Sequence, residues 1–564
     1  MKTFLILVIL VLHLQNISAQ TPRETRAVWV STNYRLDWPP PTFDEENQKE
    51  TLLKIFDDIE RKNLNTIYFQ VRSNGTVLFK SSYDPFSPYI TGKVDLKGSY
   101  DPLEFAVTEA HKRGLEIHAW INTMHCFNTS DLTILEHPKH VSNQHPYWVY
   151  KKEEENGTAS LWLNPGLPEV RKYLIDLIDE LVQNYNIDGV QLDFIRYPKE
   201  PIDDIDSYSI YGSGKNLNDW RRENINTFVT ELNIRIKTTN PLIKLGATPI
   251  GIYKNLPNAR GLEGYNDVFQ DSREWLASGA IDYAVPQIYW NIKDNPRYQD
   301  LVEDWNYNSH GKNVVIGIAA YRESVVEELS EEINIARSSN SDGVAFFRYS
   351  HIENIEINQF NEKTLPSEMP WIITERNLPQ VATFISSDLY GHDITLQWQV
   401  DSRNFKNAKY LALYEIYNHN NSNETKLLKV VPSSLTSTDI SIDNPDKIVY
   451  SYTVKAVDQL WNESTGGNIV SYKVPELKKI SDDIAKFEKP LITKINGQYL
   501  LILSTSNQDQ IDIKAANNNS QSELISSHKI LPGLNIIKVS SEIFDYSIID
   551  LEFVNSKRVV ELKR

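Results

Sequence analysis

The sequence predicts a (β/α)8 barrel in the N-terminal part of the chain, followed by all-β domains. Three observations predict it. Strand-like and helix-like segments alternate eight times between Thr25 and about Gln359, within the length typical of one such barrel. No glycine-rich phosphate turn follows an early strand, as a doubly wound sheet would require. From about residue 375 the texture becomes short alternating runs separated by Asn, Ser and Pro turns, the mark of small β-sandwiches.

Apolar runs rich in β-branched residues read as strands over 26–32, 66–72, 116–123, 189–195, 243–250, 282–290, 313–321 and 342–349. Amphipathic stretches of helical length fall between them, over 45–62, 102–113, 168–185, 220–238, 272–278, 298–309 and 323–338. A last candidate helix lies near 352–360. The barrel is therefore expected over 24–365, with a Pro-containing link over 365–379.

Side chains alternate across a strand, and several of these strands sort by polarity. Ile67, Phe69 and Val71 oppose Tyr68, Gln70 and Arg72; Ile117, Ala119 and Ile121 oppose His118, Trp120 and Asn122; Val190, Leu192 and Phe194 oppose Gln191 and Asp193. Gln287 and Tyr289 share a face. The apolar sets are expected to face the helices and the polar sets the barrel axis. A structural barrel fills its axis with branched apolar residues; an axis that becomes polar toward the strand C-termini points to an enzyme.

Composition bounds the class. At 564 residues, two to four domains are expected. The net charge of −17 argues against nucleic acid or an anionic membrane as partner. The single cysteine, Cys126, excludes an internal disulfide framework and a Cys-based zinc site. Residues 1–19 carry one charge, an apolar run over 4–12 and the ending Ile17-Ser18-Ala19, which reads as a signal peptide. That run is too short to span a bilayer, and no Cys stands at the cleavage point. An exported, periplasmic or extracellular protein without a lipid anchor is the expectation.

Beyond the link, alternating strands are expected over 394–400, 410–417, 427–431 and 448–457. Trp398, Tyr414, Tyr417, Tyr450 and Tyr452 fall where a fibronectin type III sandwich has core positions, giving one such domain over 375–474. Strands over 499–503, 511–514, 536–539 and 548–553 give a second small β domain over 480–564.

The sharpest segment for chemistry is Ile187-Asp-Gly-Val-Gln-Leu-Asp193-Phe-Ile-Arg-Tyr-Pro198. Asp188-Gly189 turns the chain and a fourth strand carries Asp193 to the top of the barrel, where active sites of this fold sit. Cleaving a glycosidic bond passes through an oxocarbenium-like state and needs a carboxyl group at the anomeric centre. Asp193 is either that group or a structural ion-pair partner of Arg72 or Arg196.

The chain resembles the glycosyl hydrolase-like 10 family. The resemblance is carried by Arg26-Ala-Val-Trp-Val30 leading to Asp37-Trp38-Pro39, by Asn65-Thr-Ile-Tyr-Phe-Gln-Val-Arg72 and by Ser87-Pro-Tyr-Ile-Thr-Gly92. It continues through His118-Ala-Trp-Ile-Asn122, Leu163-Asn-Pro-Gly-Leu-Pro-Glu-Val-Arg171, the segment 188–198, Asp271 with Trp275, and Ile281-Asp-Tyr-Ala-Val-Pro-Gln-Ile-Tyr-Trp290. It implies a barrel acting on glycans as a glycoside hydrolase, with bacterial cell-wall glycan strands as leading substrate class. The alternative is a non-catalytic glycan-binding protein on the same barrel.

A second carboxylate is expected, and its separation from the first decides whether configuration is retained or inverted. Asp271 and Asp37 are the candidates; Asp271 otherwise caps the helix beginning at Ser272, and Asp37 otherwise braces a loop. An N-acetyl group on the substrate is a third possible nucleophile. Arg72 is placed to pair with Asp193 or to bind an acidic sugar substituent, and Arg196 to contact substrate. Gln70, Asn122 and Gln287 offer hydrogen bonds to hydroxyls. Trp120, Tyr289 and Trp290 form either a stacking platform or ordinary core. No cofactor and no metal site are expected, since no His/Asp/Glu grouping has metal-ligand spacing.

Overall fold

A computed structural model describes residues 23–128, 131–153, 159–373, 383–390, 393–399, 407–416, 425–441, 449–473, 490–495, 498–505, 509–516, 522–530 and 533–563. The expected signal peptide lies outside the described residues. Eight parallel strands form a closed barrel: β1 Thr25–Val30, β2 Thr66–Ser73, β3 Glu116–Asn122, β4 Gly189–Asp193, β5 Lys244–Ala247, β6 Tyr283–Ala284, β7 Asn313–Ile318 and β8 Gly343–Phe346. Pairing of β1 with both β8 and β2 closes the ring. β6 is far shorter than the predicted run, but bridges from Gln287 to Ile250 and Gly317 carry the rim past it.

Seven main helices wrap the barrel: α1 Glu45–Arg61, α2 Pro102–Lys112, α3 Pro168–Asn184, α4 Leu217–Thr239, α5 Ser272–Ala277, α6 Tyr298–Tyr307 and α7 Glu323–Ser338. Their starts follow local chemistry. Asp44 accepts from the Asn47 amide at 2.8 Å, Asp101 from the Glu104 amide at 3.2 Å, and Pro102 and Pro168 occupy first-turn positions that need no donor. The predicted final helix is instead two short pieces, Tyr349–Ile352 and a 3-10 turn over Asn358–Phe360.

The alternation of the strands becomes two cores. Val28, Val30, Ile67, Phe69, Ile117, Ala119, Val190 and Leu192 pack outward among the helices. Ala27, Trp29, Tyr68, Trp120, Tyr283, Val285, Val315 and Ala345 fill the axis, an aromatic filling rather than an aliphatic one. Gly246 on β5 admits it: a Cβ there would sit 2.0 Å from the Tyr283 ring.

Charges close the N-terminal end of the barrel. Glu116 pairs with Lys244 and with His118, whose other nitrogen meets the Tyr283 hydroxyl. The polar stripe expected at the active end thus also reaches the opposite end, where it is structural. Residues 365–373 return beneath it, with Met369 packed against the axial core and the Trp371 indole donating to Asp282 at 3.2 Å.

Four antiparallel sheets follow. Thr383–Tyr390, Asp393–Gln399 and Ser437–Ser441 form one; Thr425–Pro432, Tyr410–Ile416, Val449–Val457 and Val470–Lys473 form its partner around Trp398, Leu411 and Val454. Two more, of three and four strands, are formed by described residues between 491 and 563, around Leu501, Ile513 and Leu551. The first sandwich is seated on the barrel rather than tethered at a distance. The Trp461 indole donates to Glu116 at 3.0 Å, Lys409 pairs with Asp188, and Val430 abuts Gly114, where an added Cβ would meet it at 2.6 Å. Burial opposes ionisation of Asp188, but Lys409 and His111 outweigh it and hold the carboxyl well below its usual range.

One buried group works against the fold. Glu332 on α7 is fully buried and neither carboxyl oxygen has a hydrogen-bond partner. Burial, with the charge of Glu328, pushes its carboxyl up to about 9. A raised folded value means that stability falls as pH rises from the ordinary carboxylate range toward 9, by up to about 3 kcal/mol at pH 7. Glu332→Leu is therefore expected to raise the melting temperature at pH 7 and to flatten its decline toward pH 9. A variant less stable than the parent at pH 8 would refute this.

Candidate active site

Asp193 ends β4 and lies level with Asn122 across the β3–β4 ladder. Beyond the strands the ladder continues: the Thr123 amide donates to the Asp193 carbonyl at 2.9 Å and the Thr123 hydroxyl to the same oxygen at 2.8 Å. The backbone beneath the acid is thereby fixed at the C-terminal mouth of the barrel.

Its carboxylate is held from two sides. Oδ1 accepts the Phe194 amide at 2.7 Å, Oδ2 accepts the Trp120 indole N–H at 3.1 Å, and Gln287 Nε2 stands 3.5 Å from Oδ1. Asp193 is only 8% exposed. Burial pushes its carboxyl up to about 6, against the opposing pull of the Phe194 amide, the Trp120 indole and the Arg196 charge. A carboxyl group in that range exchanges a proton near neutral pH, as a general acid must.

Aromatic rings wall the acid on two sides. On one, Phe347 lies 6.2 Å from Trp120 and 5.8 Å from Tyr289, and Tyr321 stands edge-on 6.0 Å from Tyr289. Burial, followed by the charge of Asp193, pushes the Tyr289 hydroxyl well up. On the other side are Phe194, His125, Trp162 and Arg196, whose guanidinium lies 5.0 Å over Trp162 and 5.3 Å over Phe194. Trp162 and His125 come from a three-stranded sheet of His125–Phe127, Ala159–Leu163 and Val149–Glu153 inserted after β3.

Gln287, Tyr289, Trp290 and Arg196 stand half-buried at the mouth, where a substrate can reach them. Trp120 is buried and binds Asp193, so it positions the acid instead of forming a sugar platform. Gln70 is turned inward: its Oε1 accepts from the Ser31 hydroxyl and from the amides of Thr32 and Asn33 at 2.9–3.1 Å, leaving its Nε2 3.5 Å from buried Asn122. Gln70 and Asn122 fasten the turn after β1.

Arg72 departs most from expectation. A bulge in β2 places Gln70 opposite Trp120 but Arg72 opposite Ile121, a residue of the outer core. One extra residue reverses the alternation, so Arg72 leaves the axis and pairs with Asp84 at 2.7 Å, both side chains fully buried. It does not pair with Asp193.

Each expected second carboxylate has partners of its own. The Asp37 side chain is buried, accepts the amides of Ser31 at 2.7 Å and Ser350 at 2.9 Å, and pairs with Arg348. Asp271 holds the N-cap position of α5, but its side chain makes no capping bond and accepts the Tyr253 hydroxyl at 2.7 Å instead. Among the described residues no cluster of three or more His, Cys, Asp or Glu could hold a metal ion, and no helix is long and apolar enough to cross a membrane.

Tyr321, Phe347 and His125 were not picked out from sequence. Tyr321 and Phe347 sit at or near the ends of predicted strands, a position that marks rim residues of this fold. His125 lies past its strand, off the alternation, and no pattern marks it.

Comparison with known proteins places this site in context. A family model described as Glycosyl hydrolase-like 10 matches residues 24–342. Glycosyl hydrolase YngK of Bacillus subtilis (strain 168) is 29% identical over 483 residues, covering 79% of this chain and 93% of its own. Glycosyl hydrolase DigH of Escherichia coli (strain K12) is 32% identical over 332 residues, covering 54% of this chain and 74% of its own. Among solved structures, the PgaB (BpsB) glycoside hydrolase domain from Bordetella bronchiseptica aligns at a TM-score of 0.44 and 14% identity, covering 59% of this chain and 96% of that one.

Proposed function

Because the chain belongs to the glycosyl hydrolase-like 10 family, we propose that it is an exported glycoside hydrolase in which Asp193 is the general acid, and that its substrate class is bacterial cell-wall glycan strands. The observation that carries the reading is the Asp193 carboxyl, buried at a barrel mouth and raised to about 6. Export rests on the composition of residues 1–19. The three-plus-four strand arrangement of residues 383–473 supports a fibronectin type III-like reading of the first sandwich.

Asp37 and Asp271 are both engaged by partners of their own, which favours a substrate that brings its own nucleophile. An N-acetylated sugar does so. Protonated Asp193 gives its proton to the glycosidic oxygen as the C1–O bond breaks, and the acetamido carbonyl oxygen bonds to C1, forming an oxazolinium ion. Water then attacks C1, the C1–O bond to the acetamido oxygen breaks so that the acetamide is regenerated, and the Asp193 carboxylate takes the water's proton, restoring the acid. Tyr289 and Tyr321 offer ring faces, and Gln287 an amide, to the sugar.

The same engagement of Asp37 and Asp271 favours a second reading, a glycan-binding barrel without turnover. Incubating the protein with purified glycan strands, with and without peptide stems, and weighing the products decides between them. Cleavage is expected, with the rate falling as pH rises through about 6 because the ionised acid has no proton to give. De-N-acetylated strands are expected to bind without being cut. Tight binding with no product at any pH would leave the second reading.

A further inference from the structure

Phe194, the residue directly after the acid, has φ of +52°. This left-handed conformation is uncommon for a residue with a large side chain and persists only where its surroundings impose it. The peptide joining Asp193 to this residue carries the Phe194 N–H that donates to Oδ1 at 2.7 Å, so what fixes the Phe194 Cα and ring also fixes that donor. His125 stacks on the Phe194 ring, with centroids 4.8 Å apart and planes inclined by 27°; Trp162 meets it edge-on at 5.8 Å and the Arg196 guanidinium lies 5.3 Å from its centre.

His125 is delivered there by the chain. Thr123 and Met124 donate to the carbonyls of Asp193 and Phe194 at 2.9 and 3.3 Å, so the segment leading to His125 runs alongside the acid. The imidazole is buried, and its Nδ1 has no hydrogen-bond partner. Burial, with the charges of Arg196 and Arg72, pulls the ring down to about 3, so it is neutral wherever the enzyme is folded and active. A buried polar atom left unpaired is costly; at this position the ring contacts are what the side chain supplies.

We propose that His125 is a positioning residue: its ring, stacked on Phe194, anchors that residue and so holds the Asp193–Phe194 peptide in the plane that keeps its N–H on the Asp193 carboxylate. Its chemistry is that of a flat face, not of a proton carrier or a ligand. The inference rests on the reading of Asp193 as the working acid, but its test does not require turnover.

The charged and titratable groups bearing on Asp193 are Arg196 and Tyr289, and neither is altered in the test. The difference in melting temperature between the parent and Asp193→Asn, followed from pH 4 to 8, reports ionisation of Asp193 in the folded protein without substrate. Its midpoint is expected near 6 in the parent. With His125→Ala in both proteins the midpoint is expected to rise by roughly one pH unit, the share of one lost amide donor. With His125→Phe, which keeps a flat ring, it is expected to stay near 6. Glycine adopts the same positive φ but offers no ring to stack on, so in a Phe194→Gly background His125→Ala should no longer move the midpoint.

An unmoved midpoint in His125→Ala would overturn the proposal, as would a His125→Phe protein that behaves like the alanine variant. If glycan cleavage is observed, His125→Ala should lower kcat with KM little changed and carry the alkaline limb of the profile upward with the midpoint. A protein that cuts no glycan yet shows these melting shifts would refute the hydrolase reading and leave the positioning role standing.

Discussion

Replacing Asp193 by Asn is expected to lower glycan turnover by about 10²–10⁴-fold, the usual contribution of a general acid, while raising the melting temperature at neutral pH. The two effects share one cause. Burial raises the carboxyl to about 6, so the folded state holds the proton more tightly than the unfolded chain does. Stability is then lost as pH rises from about 4 to 6, and at pH 7 the ionised group costs up to about 3 kcal/mol. Asparagine removes the charge, but its amide N–H2 faces the Trp120 indole N–H, a donor against a donor, which returns about 1 kcal/mol. A net gain of about 1–2 kcal/mol is expected at pH 7, vanishing below pH 4. Calorimetry of the variant from pH 4 to 8, with product analysis at each pH, checks both. An inactive variant that is also less stable at pH 7 would make Asp193 a structural partner rather than a strained acid.

Arg72→Gln is expected to have the largest effect on stability. The guanidinium binds Asp84 at 2.7 Å and the carbonyls of Asn122 and Thr123, and Tyr173 donates to the other oxygen of Asp84. Removing the cation leaves a carboxylate fully buried and unpaired, which costs about 3–5 kcal/mol. Replacing both charges, as Arg72→Met with Asp84→Leu, is expected to recover much of that loss because no ion remains in the core. Urea unfolding of the three proteins measures it. Should Arg72→Gln keep the parent's midpoint and lose affinity for glycan strands instead, Arg72 would belong to the binding surface.

The first sandwich bears on where function resides. Trp461, Lys409 and Val430 press on the barrel end opposite Asp193. That contact lies away from the C-terminal mouth of the barrel, where Asp193 stands.

Much of this was legible in the residues themselves. Period-two polarity in β2, β3 and β4 separated helix-facing from axis-facing side chains, and the amphipathic stretches read from residues 45, 102 and 168 begin where the helices begin. These features are local: they depend on neighbours two to four positions away, so the chain carries them without help. The same alternation put Asp193 at a strand end and Trp120 beside it.

Partnership was decided elsewhere. One bulged residue in β2 sent Arg72 to Asp84 instead of Asp193; the meeting of β1 and β8 gave Asp37 to Arg348; an inserted sheet brought His125 onto Phe194. Sequence determined that a carboxyl group stands at the end of the fourth strand. Only the closed ring determined that it is buried, held by Trp120 and Phe194, and raised to about 6, because desolvation and hydrogen-bond geometry arise from groups that are distant along the chain and adjacent only after folding.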